Sequence, residues 1–212
     1  MGKDITAILG EGGPILVILI ALSVLSLAVI VYKIVQLLPV LGGTSRRDSA
    51  IALWAKGERE AAKAAVGGGT SPADKILAYA LAAIDAGAKG PALELELARH
   101  GNEEVSRLSG GVRLLELIAM VSPLLGLLGT VLGMIEAFQD LSLAEGAANA
   151  SVLAGGIWLA LVTTAAGLIV ALPAAVASGL FAARVDRAAQ RIESAVSQIL
   201  FLENGGIAPG TL

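Results

Sequence analysis

Residues 117–138, LIAMVSPLLGLLGTVLGMIEAF, carry no charge before Glu136. A helix rises about 1.5 Å per residue, so roughly 20 apolar residues cross the hydrocarbon core of a bilayer. This stretch is long enough. Two more lie on either side: PILVILIALSVLSLAVIVYKIVQLL at 14–38, uncharged until Lys33, and SVLAGGIWLALVTTAAGLIVALPAAVASGLF at 151–181. Composition points the same way. Hydrophobic residues make up 56% of the 212 and charged residues 16%, while 26 glycines suit closely packed membrane helices. The first stretch is longer than a signal-peptide core, follows Asp4 and Glu11, and lacks a small-x-small cleavage site, so it reads as a retained span.

Basic residues orient the spans. Lys3 precedes the first, none lies between the second and third, and the other fourteen of fifteen fall on one side. That side is assigned to the cytoplasm. The expected organisation is a periplasmic segment at 1–13, spans at 14–38, 114–139 and 151–181, a cytoplasmic helical loop at 39–113, a short periplasmic loop at 140–150, and a cytoplasmic helix and tail at 182–212.

The segments between the spans read as helical. Thr44 or Ser45 can cap a helix running to Val66, which GGGT at 67–70 ends. Ser71-Pro72-Ala73-Asp74 combines a capping Ser, Pro in the first turn and an acid near the positive end of the helix dipole. That helix should reach about Ala86. Another begins near Pro91 and feeds into the second span, with Gly101, Gly110 and Gly111 weakening the continuity. ARVDRAAQRIESAVSQILFLEN should extend the third span, and the final NGGIAPGTL should fray. No β pattern competes. The expected class is an all-α membrane protein whose three spans carry long cytoplasmic helical extensions.

The first span is Leu, Ile and Val on nearly all sides, as suits a helix facing lipid. In the second, Gly126, Gly129, Thr130 and Gly133 share a face; in the third, Gly156, Ala160, Thr163, Gly167, Ala171 and Ala174 do. Helices in lipid associate through close backbone contact, which small residues permit. The second and third spans are therefore expected to form the inside of an assembly. Ser122, Thr130, Thr163 and Thr164 are the polar groups within them. A single membrane Thr usually bonds back to its own helix, but three on small-residue faces point to a polar pathway. Glu116, Glu136 and Asp140 sit at the boundaries, and Pro123 and Pro173 are expected to kink their helices. His100 reads as a solvated or packed residue with no role.

No metal or cofactor is expected, since there is no Cys and one His. No nucleotide-binding, zinc-protease or Ser/His/Asp pattern supports catalysis. The net charge of −3 speaks against a nucleic-acid partner.

SPLLGLLGTVLGMI at 122–135 closely resembles the second-span motif of the ExbB/TolQ/MotA proton-channel family, nearest its ExbB-type members. GGIWLALVTTAAGLIVALPA at 155–174 resembles the family's third span, and the order of spans fits. The resemblance implies a homopentamer in the bacterial inner membrane, its second and third spans lining a pore. That pore would hold the single-span helices of an ExbD-like partner, whose Asp carries protons to drive a TonB-like periplasmic protein. By position, Thr130 and Thr164 match the pore-facing threonines, with Thr163 adjacent.

One position departs from the pattern. The family's G-I-x-E-A-L becomes Gly156-Ile-Trp-Leu-Ala-Leu here, placing Leu159 where the acid stands. A carboxylate at that depth is costly and therefore purposeful, so its absence removes the most obvious titrating group from this chain. A TolQ-like role in envelope integrity shares the same physics. A non-conducting scaffold is the reading that Leu159 favours. A MotA-like stator would have four spans, and a secondary transporter would show an inverted repeat.

Overall fold

The computed structural model describes residues 13–143 and 150–205. Within them the chain forms helices and no strand: α1 Gly13–Leu37, α2 Thr44–Ala55, α3 Arg59–Gly67, α4 Pro72–Asp85, α5 Pro91–Ser109, α6 Val112–Leu143 and α7 Ala150–Glu203. Three helical segments, around α1, α6 and α7, are long and apolar enough to cross a membrane. The all-α membrane class therefore holds. The terminal segments 1–12 and 206–212, and the connection 144–149, lie outside the described residues.

The chain divides into two compact units. Among the described residues, one comprises 13–32 with 111–143 and 150–179; the other, the polar unit, comprises Lys33–Gly110 and 180–205. In the first, α1 buries Ile15, Leu16, Leu19 and Ser26 on one face and leaves Val17, Ile20, Val24, Leu27 and Val31 exposed. Pro123 and Pro173 stand inside continuous helices.

The polar unit is built on an apolar core of Ala50, Trp54, Val66, Leu77, Leu81, Leu97 and Ile199, drawn from α2, α3, α4, α5 and α7. Beside it lies a buried ion pair. Arg47 donates to Asp74 Oδ1 at 2.7 Å, to Ser71 Oγ at 3.0 Å and to the Gly42 carbonyl at 2.9 Å. Ser71 caps α4 by accepting from the Asp74 amide. Gly43 and Gly69 press against the Asp74 side chain so closely that neither can carry a Cβ without displacing it. The end of α7 is tied to α2, because Trp54 Nε1 donates to Glu203 at 2.8 Å and the Arg59 guanidinium lies over the indole.

Three local expectations are revised. The helix foreseen from Thr44 to Val66 is two helices, since Gly57 takes a φ of 82° that turns the chain between α2 and α3. Gly43 rather than Thr44 or Ser45 is the residue capping α2. The run from Pro91 into the second span is also interrupted: Gly110 leaves the helical region and Gly111 has a φ of 78°. His100 lies on α5, its ring 4.5 Å from that of Tyr79.

Removing one member of a buried pair leaves an uncompensated charge, so D74A should destabilise the protein by about 3–5 kcal/mol, read by thermal unfolding in detergent. A second prediction concerns α3 and α4, bridged by Lys63 Nζ and Asp85 Oδ2 at 2.7 Å. The Lys63 ammonium holds the Asp85 carboxyl below its ordinary value, and the Lys63 pKa is raised in return. The stability Asp85 contributes is thus complete above the unfolded carboxylate range and is lost as pH falls through its depressed folded value. Hydrogen exchange of α3 and α4 over roughly pH 2–5 should show this acid loss in the natural chain and a smaller one in K63M, where Arg59, 3.6 Å from Asp85, remains.

Candidate functional site

Between α6 and α7 the small residues meet in antiparallel register. A Cβ on Gly167 would stand 2.6 Å from the Ser122 carbonyl, and one on Gly126 would stand 2.9 Å from the Thr163 carbonyl. On Gly129 it would meet Thr163 Oγ1 at 2.6 Å; on Gly133, Ala160 Cβ at 3.4 Å. Gly156 closes the series directly against Ala137. The seam thus runs from Ser122 to Ala137 on α6, about 22 Å of helix, which is most of a hydrocarbon core.

The hydroxyls divide by what they bond. Thr163 is 3% exposed, donates to its own helix at the Ala160 carbonyl (2.7 Å), and lies 3.3 Å from the Gly126 carbonyl. Expected beside a pore, it sits in the seam of a single chain. Thr164 is half-buried and bonds across to α6, at the Gly126 carbonyl, 3.2 Å away. Thr130 is half-buried, and its hydroxyl bonds back to Leu127 at 2.7 Å. Gly126 is therefore the point on which Thr163 and Thr164 converge, and sequence spacing alone did not single it out.

Leu159 is half-buried, one position before the Ala160 that packs on Gly133. Glu116, Glu136 and Asp140 are exposed in the single chain. Ser122 is fully buried, with no hydrogen-bond partner for its hydroxyl among the described residues. The outward surface is apolar: Thr130, Val131, Met134, Ile135 and Phe138 line an open hollow on α6, and Trp158, Leu161, Ile169 and Leu172 are exposed on α7. Among the described residues no cluster of His, Asp or Glu could hold a metal ion.

A paired, glycine-faced second and third span with threonines at the seam is matched by one family model. Residues 69–194 fit that of the MotA/TolQ/ExbB proton channel family. The chain belongs to this family. Its similarity to individual members is regional. It is 43% identical over 102 residues to biopolymer transport protein exbB1 of Vibrio cholerae, covering 48% of this chain and 45% of that one. It is 48% identical over 73 residues to putative biopolymer transport protein ExbB-like 1 of Synechocystis, covering 34% and 29%. With the Tol-Pal system protein TolQ of Haemophilus influenzae it shares 42% over 85 residues, covering 40% and 37%. The chain thus spans less than half the length of these MotA/TolQ/ExbB relatives.

The seam makes a sharp contrast among glycines. G129A and G167A should each destabilise the protein by about 1–3 kcal/mol, since backbone or a buried side chain must move. At Gly155 and Gly179 a Cβ meets nothing within 4 Å, so alanine there should change stability by no more than about 1 kcal/mol. Thermal unfolding of the four variants in one detergent checks the difference.

Proposed function

We propose that this chain is the ring-forming subunit of a proton-driven motor in the bacterial inner membrane, energising TonB-dependent outer-membrane transport together with an ExbD-like partner. Five copies surround the partner's single-span helices, with α6 and α7 inward and α1 against lipid. The amino terminus is periplasmic and the polar unit cytoplasmic, on the side that carries fourteen of the fifteen basic residues. The observation that carries the reading is the α6–α7 seam, where Thr164 is held against Gly126 by a bond to the opposite helix rather than to its own. A threonine fixed that way keeps its place while a partner helix moves past. Membership of a proton channel family supports the same reading.

Within this arrangement Thr130 and Thr164 border the lumen, and Thr163 supports Thr164 from inside the seam. Gly126, Gly129, Gly133, Gly156 and Gly167 keep α6 and α7 in contact. Leu159 supplies no carboxylate, so the titrating group is the partner's Asp. The identity shared with TolQ favours a second reading, a Tol-Pal-type role in envelope integrity. Which periplasmic protein co-purifies with the complex separates the two.

Native mass measurement in mild detergent should give a species of five copies; monomers or dimers alone would overturn the ring. In proteoliposomes holding the chain and its partner, T164V should lower proton flux by about tenfold, the equivalent of one lost hydrogen bond of about 1.4 kcal/mol. L159E tests the missing acid in the same assay. Altered flux means that the position still faces the ion path; unchanged flux means that the partner's Asp suffices.

A further inference from the structure

In the polar unit a groove runs between α5 and the carboxyl-terminal part of α7, enclosing about 390 Å³. The two helices close on each other at Gly101, where a Cβ would stand 3.2 Å from Ile192 Cγ2. Val105, Ile192 and Val196 form an apolar floor. Glu94 on α5 and Glu193 on α7 stand on the rims, both exposed, and no Lys or Arg is among the lining residues.

An apolar floor between two carboxylates selects an apolar segment that carries positive charge at its edges. Such a segment is at hand in the motor reading. A single-span partner leaves one flank of its helix on the side of the membrane where the polar unit lies. By this chain's own charge bias, that is the side on which juxtamembrane segments are rich in Lys and Arg. We infer that the groove between α5 and α7 receives the short Lys/Arg-bearing flank of the single-span partner. This rests on the motor reading, and adds to it a second attachment point that lies outside the spans. A flank held there would anchor one end of the partner helix while the rest responds to protonation.

The test uses the full chain co-expressed with its partner. A benzoylphenylalanine photocrosslinker replaces Asn102, in the groove, or Glu60, an 88% exposed side chain on α3, as control. The expected product from Asn102 joins the chain to partner residues immediately adjoining the partner's span, identified by mass spectrometry. The double variant E94K/E193K should reduce that product about tenfold, as expected for two reversed ionic contacts, while the partner still co-purifies. A product with a second copy of this chain, with phospholipid, or no product above the Glu60 control overturns the inference when the partner co-purifies. Failure of the partner to co-purify overturns the motor reading and the groove's occupant together.

Discussion

At Gly129 a methyl group would stand 2.6 Å from Thr163 Oγ1, and at Gly167 it would stand 2.6 Å from the Ser122 carbonyl. Lipid tails are as apolar as leucine side chains, so two spans gain nothing by leaving one for the other unless their backbones come closer than lipid can pack. The glycines of α6 and α7 make that approach, and the rest of the membrane unit follows from it. The approach brings the Gly126 carbonyl within reach of Thr163 and Thr164. It also turns the large apolar residues of both helices outward.

The polar unit is organised by a different force. Its core is the apolar cluster of Trp54, Leu77, Leu81 and Ile199, whose burial supplies the drive to collapse. The Arg47–Asp74 pair joins the start of α2 to the cap of α4. Such a pair adds little net stability against an apolar replacement. Among the described residues the carboxylate, wedged between Gly43 and Gly69, has one further cation near it, Arg46 at 3.9 Å.

Thr163 and Thr164 differ in what they bond. Neighbouring hydroxyls have one partner carbonyl in common, yet only one of them keeps a bond to its own helix. Thr163 stiffens the seam. Thr164 is the group left half-open at it.

Hydropathy was enough to read three spans and the all-helical class, and the family was legible only through the resemblance of two span motifs, at 122–135 and 155–174, because each is written in runs of adjacent residues. Glycine spacing at 126, 129 and 133 also marked one face of α6. Spacing likewise set Thr163 among the small residues of α7, where the seam holds it. It did not tell that Thr164, one position on, also reaches the Gly126 carbonyl, since only the rotation of α7 against α6 decides that. Nor did it pair Arg47 with Asp74, Trp54 with Glu203, or α5 with α7 across Gly101 and Ile192. Those contacts join residues far apart in the chain, and nothing local to either partner encodes the other. The break at Gly57 was equally hidden, and Gly110 and Gly111 were marked only as weak points in a helix expected to continue. A glycine tolerates both helical and left-handed backbone, and the surrounding packing makes the choice.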